Sequence, residues 1–92
     1  MIKSFKDKET RTVFEIGKSR KFGTIAKSAK QKLDQVDLAR TLADLRIPPG
    51  NRLEALKGDR AGQYSIRIND QYRVCFGWRE EGAYEVEICD YH

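Results

Sequence analysis

The side chains best suited to chemistry gather in the C-terminal third of the sequence, which ends in Asp90, Tyr91 and His92. Alternation of apolar and polar residues places Arg67 opposite Arg73 on one face of a sheet, with Tyr91 further along the same face. Like charges directly opposite each other destabilise a sheet, so the two guanidinium groups persist more readily when an anion binds between them. The alternative is a pair of splayed, solvated arginines.

Metal-ligating and disulfide-forming residues are scarce. His92 is the single histidine, and Cys75 and Cys89 are the two cysteines. A closed zinc site takes four such ligands, and a disulfide scaffold takes more cysteines than two. We therefore expect reduced thiols without a redox role, no metal site and no cofactor.

Three stretches of the C-terminal third alternate between apolar and polar residues. This period of two predicts antiparallel strands with one buried and one open face. Their apolar positions are Tyr64, Ile66 and Ile68; Tyr72, Val74, Phe76 and Trp78; and Tyr84, Val86 and Ile88.

The turns between these stretches fix the register of the strands. A two-residue turn at 69–70 would set Ile66 opposite Arg73 and mix apolar with charged residues on one face. A three-residue turn at 69–71 sets Ile66 opposite Val74, and we therefore predict it. The same reasoning predicts a second turn at 79–83. Its predicted pairs are Trp78 with Tyr84, Phe76 with Val86, Val74 with Ile88, and Arg73 with Cys89.

Helical spacing dominates the first half of the chain. Asp7 or Thr10 begins a helix that Gly17 ends, and a second helical segment opens at Gly23 with Thr24 as a candidate N-cap. A break at 47–51 separates these segments from the strands, and residues 2–5 form a weak additional strand. We predict an α+β fold: a short N-terminal strand and a helical hairpin packed on one face of a C-terminal antiparallel sheet. The apolar helical positions are Val13, Phe14 and Ile16; Ile25, Ala29, Leu33 and Val36; and, in a further short helix, Leu38, Leu42 and Leu45.

Length and composition narrow the class of protein. The 92 residues, 39% hydrophobic and 35% charged, suit one domain spanning 1–92 with a thin core. Apolar runs are too short for a membrane span, and the N-terminus lacks the apolar stretch of a signal peptide. We therefore expect a cytoplasmic protein without a membrane partner.

Charge is distributed unevenly. The net charge is +4, yet residues 1–32 hold ten basic and three acidic side chains, a balance of +7, and the remainder balances to −3. A basic first third predicts a polyanion or an acidic protein as partner. The alternative is a lysine-rich, solvated helical surface. In the second helical segment we predict Lys27, Lys30 and Lys32 on the outer face.

Several motifs together resemble a known family over essentially the whole chain. They are Met1–Phe5, Leu53-x-x-Leu56-Lys57-Gly58-Asp59-Arg60-x-Gly62, Ser65–Asn69, Tyr72–Phe76 and the terminal Asp90-Tyr91-His92. This combination resembles the HigB branch of the RelE/ParE superfamily of bacterial toxin–antitoxin toxins. The resemblance implies the small α+β fold and a ribosome-dependent endoribonuclease that cuts translated mRNA in the A site of the 70S ribosome. It also implies a helix-turn-helix, HigA-like antitoxin, through whose complex the toxin reaches operator DNA.

The resemblance assigns roles that suit the residue types. When the 2′-hydroxyl of RNA attacks the neighbouring phosphate, the reaction needs a base, cations for the developing charge and an acid. Arg73 and Lys57 supply fixed positive charge. His92 titrates near neutrality, Asp90 acts as a base or orients His92, and Tyr91 stacks on a base or donates to phosphate.

Glu54 departs from the family, whose upstream histidine aligns with it. A carboxylate is ionised at neutral pH and repels phosphate unless Lys57 or Arg73 pairs with it. Either Glu54 is the base, or catalysis is weaker and depends on the terminal residues. We expect reduced but not absent cleavage.

Further basic residues are candidates for binding RNA or phosphate. Beside Lys57 they are Arg60 and Arg67 near the site and, in the basic first third, Lys18, Arg20, Lys21 and Lys27, with Lys30 and Lys32. The basic first third could instead receive an acidic antitoxin segment. Two other functions stay open: a non-nucleolytic, ParE-like inhibitor of DNA gyrase, and a weak toxin that acts mainly through antitoxin binding and operon control.

Overall fold

Two helices lie on one face of a four-stranded antiparallel sheet, as predicted, in a computed structural model that describes residues 1–90. The strands are neighbours in chain order, β1-β2-β3-β4. Residues 2–5 run along the outer edge of the last strand through two isolated parallel bridges. Neither helix has the length and apolar content needed to cross a bilayer. The elements are α1 (Lys8–Ile16), α2 (Ala26–Leu38), β1 (Glu54–Ala55), β2 (Gln63–Arg67), β3 (Tyr72–Arg79) and β4 (Gly82–Asp90).

Helix α1 begins and ends on capping residues that the sequence makes visible. The Asp7 carboxylate accepts a hydrogen bond from the backbone N–H of Thr10 at 2.7 Å, so Asp7 and not Thr10 is the N-cap. Gly17 adopts the left-handed conformation that ends the helix. Ile16, expected in the core, is instead 62% exposed because it lies on the outer side of the last turn.

Helix α2 begins differently from the prediction. A single 3₁₀ turn, Gly23–Ile25, runs directly into it, so Ile25 already has helical backbone and Thr24 does not cap the helix. Leu38, predicted as an apolar position of the further short helix, is instead the last residue of α2 and is 78% exposed. The predicted short helix exists as a 3₁₀ helix at Leu42–Arg46, which buries Leu45.

The first hairpin has the predicted register, with Ile66 opposite Val74 and Arg67 opposite Arg73. In the second hairpin, Arg73 faces Cys89 and Val74 faces Ile88, also as predicted. The outer half of that hairpin was predicted wrongly, since Trp78 pairs with Ala83 and Tyr84 faces Gly77.

Left-handed backbone explains this error. Glu80 and Glu81 have φ values of 51° and 61° and form a two-residue turn in place of the predicted 79–83 loop. Such turns match the twist of an antiparallel pair. A bulge in β4, where Glu85 has a φ of 50°, then inserts the extra residue that restores the predicted register nearer Ile88.

The two faces of the sheet have different roles. The helix-covered face carries the core, whose fully buried members include Val13, Leu33, Val36, Ile66, Val74, Phe76 and Val86. Ser65, Arg73 and Cys75 occupy the alternate positions and therefore lie on the other face. Leu56 packs there against Cys75 and Cys89, so the central strands are buried on both sides.

Candidate active site

Arg73 is the centre of the open face of the sheet. Its side chain is only 8% exposed. Its Nε donates to the Ser65 hydroxyl at 2.7 Å, and Nη2 donates to the Arg52 carbonyl at 2.6 Å and the Ser65 carbonyl at 3.4 Å. These acceptors are neutral, so they orient the guanidinium group without cancelling its charge.

The loop before β1 supplies one of these acceptors. Arg52 has a φ of 47°, a left-handed conformation that is unusual outside glycine, directly after the 3₁₀ turn Pro49–Asn51. This conformation directs its carbonyl at Arg73. The sequence marked this segment only as a break between helices and strands, because a backbone acceptor leaves no side-chain signature.

Asn51 anchors the same loop. Its side chain is fully buried, and its amide nitrogen donates to Gln35 at 2.9 Å and to the Leu45 carbonyl at 3.2 Å. Sequence reasoning missed Asn51. A polar residue beside a Pro-Pro-Gly turn is a weak signal, and its burial becomes evident only in three dimensions.

Glu54 lies beside Arg73. β1 pairs Glu54 with Ser65, which places both on the same face, and the Glu54 carboxylate is 4.0 Å from the Arg73 guanidinium. Half of the Glu54 side chain is exposed. A negative charge therefore stands next to the cation at the position that the family resemblance gives to a histidine.

Lys57 and Arg60 follow on the segment after β1 but have different surroundings. Lys57 is exposed and precedes the 3₁₀ turn Gly58–Arg60. Arg60 forms an ion pair with Glu87 at 3.2 Å and also donates to Gln63. Lys57 can therefore meet an incoming phosphate, whereas the charge of Arg60 already has a partner within the sheet.

Arg67 stands opposite Arg73 as predicted. It forms an ion pair with Asp70 in the turn that follows. That carboxylate is wholly exposed, whereas Arg67 is about one-third exposed. An exposed, solvated partner of this kind contributes little and is easily replaced by a stronger anion.

The predicted terminal residues fall at the limit of the described chain. Asp90 is the last residue of β4 and pairs with Tyr72, so it has the register of the helix-covered face and not of Arg73. Its carboxylate accepts a hydrogen bond from Gln71 at 3.1 Å. Tyr91 and His92 lie outside the described residues.

The basic first third divides into two sets. Lys18, Arg20, Lys21 and Lys27 are exposed. Lys30 and Lys32, predicted on the outer face, are instead partly buried. Lys30 donates to the Phe14 carbonyl at 2.9 Å, which joins α2 to α1, and it also pairs with Asp34 within α2.

The cysteines are free and buried. Hydrogen bonding to Cys75 and burial raise the pKa of the Cys89 thiol well above its usual range. Within residues 1–90, no three His, Cys, Asp or Glu side chains come together as a metal site.

Residues 3–92 match the profile of the HigB-like toxin family, described as the RelE-like toxin of the type II toxin–antitoxin system HigB. The chain is 42% identical over 80 residues to Toxin HigB-1 of Vibrio cholerae, covering 85% of this chain and 84% of that protein. It is 34% identical to Endoribonuclease HigB of Proteus vulgaris, with full coverage of both proteins.

The fold is also similar to solved toxin–antitoxin structures. The YoeB-YefM complex from Staphylococcus aureus includes a chain that superimposes with a TM-score of 0.63 at 17% identity, covering 100% of this chain and 98% of that one. A heterotetrameric YoeB-YefM complex from the same organism gives a TM-score of 0.58, again at 17% identity and with the same coverage. At this identity the likeness concerns the fold alone. The family profile and the two HigB relatives go further, and they show that the chain belongs to the HigB family of type II toxins, within the RelE superfamily.

Proposed function

We propose that this toxin is a ribosome-dependent endoribonuclease that cuts translated mRNA in the ribosomal A site and thereby inhibits translation. One observation carries the proposal: a buried arginine, Arg73, is held by neutral oxygens on the face of the sheet that the helices leave uncovered. A guanidinium group that neutral acceptors hold in place suits the charge that develops on a cleaved phosphate. The relative from Proteus vulgaris, named an endoribonuclease, supports the same conclusion.

In the proposed reaction the 2′-hydroxyl of the RNA attacks the adjacent phosphate, and the 5′-oxygen of the next nucleotide leaves. The new P–O bond forms as the old one breaks, so charge accumulates on the two non-bridging oxygens. The fixed charge of Arg73 stabilises these oxygens electrostatically, and Lys57 adds a mobile cation from the segment beside β1. The protein side chains carry the whole reaction in this scheme, which is why we propose a metal-independent enzyme.

In this scheme the last three residues of the sequence carry out proton transfer. His92 is the single histidine, and imidazole is the side chain best suited to proton transfer at neutral pH, so in this scheme it accepts a proton from the 2′-hydroxyl or gives one to the leaving oxygen. Asp90 orients it or shares that task, and Tyr91 stacks on a base or donates to phosphate. Glu54, 4.0 Å from Arg73, offsets part of its charge and attenuates cleavage.

Two further surfaces complete the proposal. The exposed residues Lys18, Arg20, Lys21 and Lys27 dock on the backbone of ribosomal RNA in the cytoplasm. A HigA-like helix-turn-helix antitoxin neutralises the toxin and brings it to operator DNA. The structural neighbours, which are complexes of a toxin with its antitoxin, support such a partner.

Cleavage of mRNA on programmed ribosomes, with 3′ ends mapped on the mRNA, tests this function. We expect A-site cuts with the wild type, none in a variant ending at Asp90, and cutting slower by about tenfold or more with Arg73→Lys, which keeps the charge but loses the planar donors that Ser65 and Arg52 hold in place. Arg79→Met is the matched control, because Arg79 is exposed on the same strand and stacks on Tyr84 at 4.2 Å. Absence of cleavage together with inhibited DNA supercoiling would favour the gyrase alternative.

A further inference from the structure

Lys32 is held by the buried amide of Asn51, in the loop that also supports Arg73. From α2 its Nζ donates to Oδ1 of Asn51 at 2.6 Å. The amide nitrogen of Asn51 is engaged by Gln35 and by the Leu45 carbonyl, so the orientation of Oδ1 is fixed. The ammonium group of Lys32 is therefore located by the loop at 49–52 and not by its own flexible chain.

The same loop locates Arg73. Arg52 follows Asn51 directly, and its carbonyl accepts from the Arg73 guanidinium at 2.6 Å. Two adjacent residues of one loop thus hold two cations, one through a side chain and one through the backbone. Arg67, paired with Arg73 across β2 and β3, adds a third.

Lys32 lies close enough to Arg67 for the two positive charges to repel each other. Burial and, to a smaller extent, the charge of Arg67 lower the pKa of Lys32 below its ordinary value. Arg67 and Arg73 each have a carboxylate nearby, on Asp70 and Glu54, whereas within residues 1–90 Lys32 forms no ion pair. A bound anion would relieve this repulsion.

We propose that Lys32 binds an RNA phosphate adjacent to the one held by Arg73, with Asn51 as its positioning residue. This inference rests on the proposed endoribonuclease function and adds to it a second phosphate subsite, built from α2 and the loop at 49–52. A lysine that only satisfied Asn51 would contribute to stability and leave RNA binding unchanged. The salt dependence of RNA binding therefore distinguishes a phosphate-binding Lys32 from a purely structural one.

The test is the affinity for a short single-stranded oligoribonucleotide, made uncleavable by 2′-O-methylation, measured between 50 and 200 mM salt. Each phosphate contact to a single strand contributes a slope of about 0.7 in log affinity against log salt. We expect Lys32→Met to lower the slope by about 0.7. The factor by which affinity falls between 50 and 200 mM salt is then ~2.6-fold smaller than for the wild type. Lys32→Arg and the matched control Lys8→Met, an exposed lysine of α1, keep the wild-type slope.

A second variant removes the charge of Lys32 but keeps its hydrogen bond, so that the result does not depend on whether Lys32→Met folds. Lys32→Gln can still donate to Asn51, and we expect it to lower the slope as Lys32→Met does. Two results overturn the Lys32 subsite alone. One is an unchanged slope in the charge-removing variants. The other is a wild type that cleaves mRNA on ribosomes but does not bind the oligoribonucleotide. A wild type that neither binds the oligoribonucleotide nor cleaves on ribosomes overturns the proposed function as well.

Discussion

Replacing Glu54 by glutamine removes a negative charge from the site while keeping the shape of the side chain. We expect Glu54→Gln to tighten RNA binding and to raise cleavage. The reason is the distance of 4.0 Å between the Glu54 carboxylate and the Arg73 guanidinium, which must together meet an anionic substrate.

The size of the effect follows from that distance and from the surroundings. A phosphate held by Arg73 would come about as close to Glu54, and two unit charges about 4 Å apart interact by about 4 kcal/mol at an effective dielectric of 20 and by about 1 kcal/mol in water. Glu54 is half exposed, so solvent screens the pair and the lower value applies. About 1 kcal/mol corresponds to roughly fivefold tighter phosphate binding, since 1.4 kcal/mol is tenfold.

Single-turnover cleavage on programmed ribosomes, over a range of toxin concentrations, measures binding and chemistry separately. We expect the half-saturating concentration to fall about fivefold with no loss of maximal rate. Glu81→Gln makes the same charge change in the exposed turn between β3 and β4 and should behave as the wild type. A maximal rate that falls by about a hundredfold or more would refute this reasoning and identify Glu54 as the general base.

Three further predictions concern cleavage, the support of Arg73 and pH. Glu54→His should raise cleavage on ribosomes, because imidazole titrates near neutrality; an equal or lower rate counts against the attenuating role. Ser65→Ala leaves the Arg73 Nε without its 2.7 Å acceptor and should lower the free energy of unfolding by about 1–3 kcal/mol in urea titrations, with slower cleavage. Hydrogen bonds from the backbone of Thr41 foremost lower the pKa of Asp44 below 3.8, so this carboxylate stabilises the fold at neutral pH and loses that effect as pH falls through the folded-state pKa. The difference in stability between wild type and Asp44→Ala should therefore be full at pH 7 and vanish in acid; a difference independent of pH would contradict it.

The fold was predictable wherever burial alone decided the outcome. Apolar alternation fixed the first hairpin because a slip would have set Ile66 opposite Arg73. It failed at the second turn, where two glutamates adopt left-handed backbone and Gly82 does not form the predicted loop. A bulge at Glu85 then restores the register. Side-chain polarity carries no information about either feature.

The site, like the fold, was predictable in part. Side-chain pattern placed Arg67 opposite Arg73, and the family resemblance drew attention to Glu54. The groups that hold Arg73 in place were not predictable, because one is the carbonyl of Arg52 in a left-handed conformation and its neighbour Asn51 is a buried polar residue between helix and sheet. Backbone acceptors and buried amides acquire their roles only when distant segments meet.

The choice of acceptors for Arg73 has a functional consequence. A buried guanidinium group needs hydrogen-bond partners, since leaving its donors unmet in the protein is costly. Carboxylates would satisfy them and cancel the charge at the same time. Hydroxyl and carbonyl oxygens at 2.6 and 2.7 Å satisfy donors of Arg73 without bringing a negative charge of their own. Under the proposed function, Glu54, farther away and half exposed, then adjusts the strength of this positive charge.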